Sequence, residues 1–245
     1  MAKIKRIHQE SKGVYGSPKV HAELVAGSTP VGRHKVARLM RLERLRGCPK
    51  RRFRVTTERN PNHPVAKNLL KQNFATDGPD QHWAADITYI STRQGWLYLA
   101  VVMDLYSRRI VGWSMSRWMS RRLVIDALRM AIDARRPEGP LIHHSDRGGQ
   151  YTSDDFRDEL AKHGIACSMS SSGNCYDNAV VESFFGILKR ERVNRVRYRT
   201  RDEARADIFE YIEVFYNRKR RHGYLGNISP ADYEDRSTGS FQTVH

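Results

Sequence analysis

Residues 83–116 hold three strand-length runs separated by two turn signals, and this spacing restricts the possible folds sharply. Residues 83–90 form the first run. Ser91-Thr-Arg-Gln-Gly95 is a turn, and residues 96–104 (Trp-Leu-Tyr-Leu-Ala-Val-Val-Met-Asp) form the second run. Tyr106-Ser-Arg-Arg109 turns the chain again into a third run over 110–116, so a three-strand meander is expected. A helix over 120–135 follows, with Val124, Ala127, Leu128 and Ala131 on its buried face and Pro137 and Gly139 at its end. Strand 140–145, helix 153–163, strand 165–169 and a long helix over 177–195 complete the unit. Three antiparallel strands followed by strand, helix, strand and helix imply a mixed five-stranded α/β sheet with flanking helices.

Three carboxylates stand at telling places in that pattern. Asp86 lies inside Trp83-Ala-Ala-Asp86-Ile-Thr-Tyr-Ile, a run otherwise apolar or strand-forming. A carboxylate in a buried strand is costly unless it is paired or bound to metal. Asp146 ends the strand Leu141-Ile-His-His-Ser-Asp146 just before Gly148-Gly149. Glu182 opens the last helix, beside the apolar stripe Val181, Phe184, Phe185 and Leu188. Thirty-five residues separate Asp146 from Glu182 (182 − 146 − 1). Gly186 and Lys189 follow Glu182 along one side of the helix, where they let a backbone come close and hold a phosphate near the acid.

Charge divides the chain. Residues 1–75 carry 18 Lys and Arg against 4 Asp and Glu, a net of +14; residues 76–196 carry 16 against 15, and residues 197–245 carry 9 against 8. Nearly all of the net +16 therefore sits in the first third, which suggests a polyanion-gripping module joined to a nearly neutral working domain. Within residues 1–48, short helices are expected over 3–12, over 18–26 with Ser17 as cap and Pro18 in the first turn, and over 32–46. The third places Val36, Leu39 and Met40 on one face and Arg38 and Arg41 on another. That order reads as a basic helix-turn-helix-like DNA-binding region. Residues 49–80 carry four prolines and the run Lys50-Arg51-Arg52-Phe-Arg54. They are expected to be a basic, mobile linker with a short helix near 65–74, and the mixed sheet occupies residues 81–196.

Residues 197–245 are expected to hold a C-terminal helix over 202–218, built on Ile208, Tyr211, Ile212 and Phe215, and a basic tail with Arg220 and Arg221. Ser229-Pro230 starts a last turn, and the final dozen residues are expected to be disordered. Trp83 and Trp96 are expected in the core, His143 and His144 as strand-end structure, and Asn178 as a helix cap. Gln150 and Tyr151 are candidate DNA contacts. No apolar run approaches membrane-spanning length and no signal peptide is evident, so a soluble, cytoplasmic protein is expected. Cys48, Cys167 and Cys175 fit no paired zinc spacing and read as reduced thiols.

Three carboxylates without paired Cys or His ligands make a hard oxygen site that suits Mg²⁺ or Mn²⁺. Two such ions about 3.5–4 Å apart activate an attacking hydroxyl and steady the leaving oxygen of a phosphodiester.

The blocks around Asp86 and Asp146, together with Asp177-Asn-Ala-Val-Val-Glu182-Ser-Phe-Phe, resemble the catalytic blocks of DDE-type transposases and retroviral-type integrases. The resemblance is strongest to the second-reading-frame protein of the insertion-sequence-three family of bacterial transposases. The 35-residue gap, Lys189 seven after Glu182, and the tail Tyr216-Asn-Arg-Lys-Arg-Arg-His222 through Pro230 match it too. The resemblance covers about residues 15–235. It implies an RNase H-like core in which Asp86 and Asp146 share one ion and Asp86 and Glu182 a second. It also implies cutting at the ends of an insertion sequence and attack of the freed 3′-hydroxyl on another phosphodiester. Lys189 would hold phosphates near the cut, and the Ser170–Asn174 loop, Asn174 included, would order over double-stranded DNA. A homodimer or higher assembly on DNA is implied, as is an upstream-frame transposition protein or fusion partner. No heptad run and no His₂Cys₂ zinc pattern appears in the chain. Two other readings compete: a catalytically idle DNA-binding regulator of transposition, supported by the lopsided charge, and an RNase H-like nuclease acting on RNA–DNA hybrids.

Overall fold

The computed structural model describes residues 1–49, 66–70, 76–170 and 178–240. They divide into two compact units, one made of residues 1–49 with Arg221–Asn227, the other of the remaining described residues.

The first unit has three helices, α1 (Ala2–Glu10), α2 (Ser17–Ala26) and α3 (Arg33–Leu42). One apolar face of each is buried: Ile4 from α1, Val20 and Leu24 from α2, Val36 and Met40 from α3. Gly16, rather than Ser17, takes the N-cap of α2, with Pro18 in the first turn. Helix α3 ends four residues short of the expected 46, because Arg44 adopts a left-handed conformation (φ 55°) and the Leu45 amide closes back onto Met40. Backbones meet closely at Gly47, where a Cβ would fall 2.4 Å from the Gly16 nitrogen. The late segment Arg221–Asn227 belongs to this unit. The Arg221 amide donates to the Tyr15 hydroxyl (2.9 Å), its guanidinium pairs with Glu23 (2.8 Å), and Leu225 is buried.

The second unit is built on a five-stranded sheet of order β3-β2-β1-β4-β5. Strands β1 (His82–Thr92), β2 (Gly95–Asp104) and β3 (Ile110–Ser116) form an antiparallel meander; β4 (Ile142–Ser145) and β5 (Ala166–Met169) add in parallel on the other side of β1. Helix α4 (Arg121–Arg135) links β3 to β4 and α5 (Asp154–Lys162) links β4 to β5. Helix α6 is Ala179–Glu191, and a 3₁₀ turn continues it over Val193–Arg195.

The alternation of a pleated strand sorts β1 and β2 between two cores. Ala84, Ile90, Leu97, Leu99, Val101 and Met103 join Val181, Phe184, Phe185 and Leu188 of α6 on one face. Trp83, Ala85, Ala100 and Val102 join Leu123, Val124, Ala127, Leu128 and Phe156 on the other. Strand β2 is thus covered on both faces, which explains its near-continuous apolar run. Gly112 of β3 meets α4 so closely that a Cβ there would lie 2.2 Å from the Ala127 carbonyl oxygen.

Several expectations need correction. Residues 66–70, expected to begin a helix in a mobile linker, are non-helical and docked: the Leu69 amide donates to Ser168 Oγ (2.9 Å) and Leu70 is buried in the α6-side core. The expected helix 202–218 is α7 (Arg201–Phe209) followed by a π-helical stretch, Glu210–Tyr216. Of the final dozen residues, expected to be disordered, residues 241–245 lie outside the described residues, and those up to Ser240 continue α8 (Pro230–Ser240). Its Glu234 is buried and accepts hydrogen bonds from Arg109, Arg135 and Ser107, a set of partners that outweighs the polar composition of the segment. Trp96 is about half exposed, since it sits at the hairpin end of β2 and packs edge-on against Tyr89, whereas Trp83 is fully buried. Among the described residues no helix is long and apolar enough to cross a membrane.

Candidate active site

The site forms where β1 and β4 run parallel and then part. Their register pairs His82 with Ile142, Trp83 with His143 and Ala84 with His144. The ladder stops at that last pair, two residues short of Asp86 and of Asp146, and the two carboxylates lie near enough for Asp146 to raise the pKa of Asp86. Asp86 shares the parity of Ala84 and Ile90, so it points to the face that α6 covers. Glu182, in the first turn of α6, comes to the same place from the helix side.

Local hydrogen bonds hold both aspartates. The Ile87 amide donates to Asp86 Oδ1 (2.7 Å) and the Gly148 amide to Asp146 Oδ1 (2.9 Å). A Cβ on Gly148 would lie 3.0 Å from Asp146 Oδ1, so glycine lets the turn close tightly on the carboxylate. The start of α6 is tied to β1 one residue before Asp86: Asn178 Nδ2 donates to the Ala85 carbonyl (3.3 Å). Asn178 occupies the N-cap position, but its side chain makes no capping bond.

All three acids resist ionisation. Burial raises the pKa of Asp86 well above the usual carboxylate range; Asp146 and Glu182 raise it further, against the Ile87 amide and the Lys189 charge. Burial raises Asp146 against the Gly148 amide, and burial with Asp146 raises Glu182. Negative charge is crowded here with little local compensation. Among the described residues Lys189 is the cation that eases it at Asp86, and burial in turn lowers the pKa of Lys189. The Lys189 ammonium lies 4.6 Å from the centre of the Tyr89 ring, and among the described residues nothing lies within 4 Å of where a Cβ on Gly186 would sit. Among the described residues no group of three or more His, Cys, Asp or Glu stands arranged around one metal position. The donor chemistry nevertheless fits a hard divalent cation: the donors are carboxylate oxygens, and a cation would relieve the repulsion that raises their pKa values.

The other candidates fall at different distances from this chemistry. His143 is buried within β4 against Phe156, its pKa pushed down to about 3 by burial and by His144. His144 shares a hydrogen bond with Ser168 Oγ (2.8 Å). Gln150 is half-buried and donates to the Met119 carbonyl (3.3 Å). Arg38 and Arg41 are exposed on α3. Lys50, Arg51, Arg52, Arg54 and Asn174 lie outside the described residues, as does most of the Ser170–Asn174 loop.

Three expected DNA contacts need correction. Tyr151 is only 2% exposed, packed against Phe156 and His143, so its side chain offers no surface to a DNA strand. Arg220 is buried in a two-bond ion pair with Glu191 (2.7 and 2.8 Å), whose carboxylate also accepts from the Tyr211 hydroxyl. Arg221 is engaged by Glu23 and the Asn227 carbonyl. The run Arg218-Lys-Arg-Arg221 looks like a solvated cluster in sequence, but half of its charges fold inward.

Comparison with known proteins agrees with this architecture. Residues 76–175 match the integrase core domain family, residues 182–237 a second integrase core domain family, and residues 1–53 an HTH-like domain family. The chain is 49% identical over 233 residues to an insertion element IS600 uncharacterized 31 kDa protein of Shigella sonnei, covering 95% of this chain and 86% of that protein. It is 46% identical over 227 residues to the transposase InsF for insertion sequence IS3A of Escherichia coli (strain K12), covering 93% of this chain and 79% of that one. A simian T-cell lymphotropic virus intasome structure shares the fold at a TM-score of 0.53 and 15% identity, over 94% of this chain and 74% of that chain. The HTLV-2 integrase catalytic core domain in complex with magnesium shares it at 0.50 and 16%, over 65% of this chain and 99% of that chain. By identity that extends over nearly its whole length, the chain belongs to the IS3 family of transposases, with an HTH-like domain and an integrase core.

Proposed function

We propose that this transposase cuts the ends of an insertion sequence and joins the freed 3′-hydroxyl to another DNA phosphodiester, with Asp86, Asp146 and Glu182 as its catalytic, metal-holding residues. What supports the reading is the crowding of the three acids: β1 and β4 pair in parallel up to two residues before Asp86 and Asp146, and Asp146 and Glu182 both raise the pKa of Asp86. A pair of Mg²⁺ or Mn²⁺ ions, when bound, supplies the charge that activates the attacking oxygen and stabilises the leaving one. Asp86, Asp146 and Glu182 would hold these ions through their carboxylate oxygens. Crowding and burial keep the three acids reluctant to ionise, so the site takes up cations in exchange for protons. Lys189, two turns beyond Glu182, neutralises phosphate at the cut, and the open flank of Gly186 admits the DNA backbone.

The exposed arginines of α3 and the +14 of residues 1–75 fit a module that grips the duplex through phosphates, so binding falls steeply as salt rises. The working state is a homodimer or higher assembly in which two DNA ends meet, with an upstream-frame protein or fusion partner as a further component, acting at the bacterial nucleoid.

A labelled duplex carrying the element end tests the reading in Mg²⁺ or Mn²⁺. Wild type yields metal-dependent nicked and joined products. Glu182→Gln binds the same DNA and yields none. Binding without any nicking by wild type, even with an upstream partner supplied, favours a DNA-binding regulator instead.

A further inference from the structure

Trp96 is a large apolar side chain left half exposed on a strand that is otherwise mostly buried, and the protein holds it there firmly. It follows the β1–β2 turn, where Gly95 takes a left-handed conformation (φ 97°). Arg201, the first residue of α7, fixes that turn: its amide donates to Gln94 Oε1 (3.0 Å) and its guanidinium to the Trp96 carbonyl (3.0 Å). Thr92 Oγ1 donates to the Gly95 carbonyl across the turn (2.7 Å). A ring held in advance loses little freedom when a ligand stacks on it. Trp96 packs edge-on against Tyr89, itself 51% exposed, with ring centroids 5.0 Å apart and planes at 77°. In such a T arrangement at most one face of the indole meets Tyr89, so the other stays clear of it. The Lys189 ammonium lies 4.6 Å from the centre of the Tyr89 ring. That contact is made where β1 has outrun β4, whose ladder with it ends at Ala84. Lys189 sits two turns beyond Glu182 on α6, so a short chain of contacts runs from the helix of the acids to Tyr89 and on to Trp96. On the hairpin side Arg93 and Arg197 are exposed, and the Arg93 amide donates to the Tyr198 carbonyl (3.0 Å). Cations thus bracket the ring pair.

We propose that Trp96 stacks on an unpaired base of the DNA strand beside the cut, with Tyr89 as its buttress and Lys189 on a phosphate of the same strand. This rests on the strand-cutting reading above. One aromatic ring separates the ammonium from the indole, as one sugar separates a phosphate from its base. Charge complementarity selects the occupant. Cations on both sides of an aromatic face match a polyanion of flat bases, the combination that single-strand binding surfaces use. An apolar protein partner would instead bury those charges unpaired. Bases stacked in a duplex offer their edges, so the indole acts on nucleotides that have left the stack. Every base has a π-face, and the contact therefore positions the strand without reading its sequence.

The test uses the full chain without metal, so that binding is read apart from cutting. One probe is a blunt duplex carrying the element end. The other is the same duplex extended by about five unpaired nucleotides, 2-aminopurine among them. Wild type binds the extended probe about tenfold more tightly than the blunt one and quenches the 2-aminopurine. Trp96→Ala loses that preference and the quenching while blunt-duplex binding stays the same, and Trp96→Phe keeps most of both. Wild type that binds the extended probe without quenching overturns the proposal, a result that depends on no variant folding. So does a preference that Trp96→Ala retains. So does one that Trp118→Ala removes equally, since Trp118 is exposed beyond the end of β3 and outside this ring pair. If Trp96→Ala instead turns a dimer into a monomer at unchanged preference, the ring belongs to a contact between copies and the proposal falls. Wild type that shows the preference and the quenching but nicks no end in Mg²⁺ overturns the strand-cutting reading alone. Nicking without the preference overturns the stacking alone.

Discussion

Two clusters of three carboxylates lie around the same sheet, and they differ in what surrounds them. At one end Asp86, Asp146 and Glu182 crowd together with Lys189 as the cation credited with easing them. At the other, Asp80, Asp104 and Glu234 are stitched together by arginines and hydroxyl and amide donors. Arg135 bonds both Asp80 and Glu234, Arg109 bonds Glu234, the Ser107 amide donates to Asp104 and the Ser107 hydroxyl donates to Glu234. Arg135, Ser107 and Arg109 together hold Glu234 below the usual carboxylate range against its burial. The second cluster is a clasp that pins α8 to the turn between β2 and β3 and to the C-terminal end of α4. In the first, charge is left unbalanced, which destabilises the fold and suits the binding of a cation. Counting acids cannot separate a clasp from a reactive site; counting their cations and donors can.

The contrast is open to attack, most strongly at the clasp. Glu234→Ala strands the Arg109 and Arg135 charges and should lower stability by about 3 kcal/mol, read in urea unfolding, with protease cutting in α8 as a local report. A loss below about 0.5 kcal/mol would make the clasp an ordinary surface network. Asp104 offers a pH test within the same cluster, because burial lifts its pKa to about 6 while the Ser107 and Asp80 amides oppose the shift. A carboxylate whose folded pKa is raised makes the folded state progressively less stable as pH rises from its unfolded pKa near 4 to its folded pKa near 6. Asp104→Asn should therefore flatten the stability profile between about pH 4 and pH 6, by a total on the order of 2 kcal/mol. An unchanged slope would assign that titration elsewhere. The smallest effect belongs to the candidate active site. Asp86→Asn removes a charge that has no full partner, and should raise stability at neutral pH by about 1 kcal/mol while DNA binding persists. A loss of similar size would mean that Asp86 is a satisfied structural carboxylate and that the two clusters are alike.

Much of this was legible in the chain. The meander over 83–116 and the strand, helix, strand, helix order after it follow from local periodicity, and the observed strands keep those places within a few residues. The stripe Val181, Phe184, Phe185 and Leu188 is buried as its spacing required. The errors share a cause. The docking of residues 66–70, the ordered part of α8 and the inward-turned Arg220 all depend on partners far away in sequence: Ser168 for the Leu69 amide, Arg109 and Arg135 for Glu234, Glu191 for Arg220. Trp96 fails in the opposite direction. Its apolar strand argued for burial, but its place at the hairpin end leaves it half exposed.

The sequence by itself determined the order of elements, the three acids, and the concentration of positive charge in the first third, because these depend on residue type and local period. Tertiary structure alone decided which charges are matched. The parallel pairing of β1 with β4, which brings the chain segments leading to Asp86 and Asp146 side by side, exists only once the sheet has formed. The burial of Tyr151, a candidate DNA contact in sequence, follows from its packing against Phe156 of α5. The strength of a charge or a polar group depends on its neighbours and its access to water, and both are properties of the folded chain.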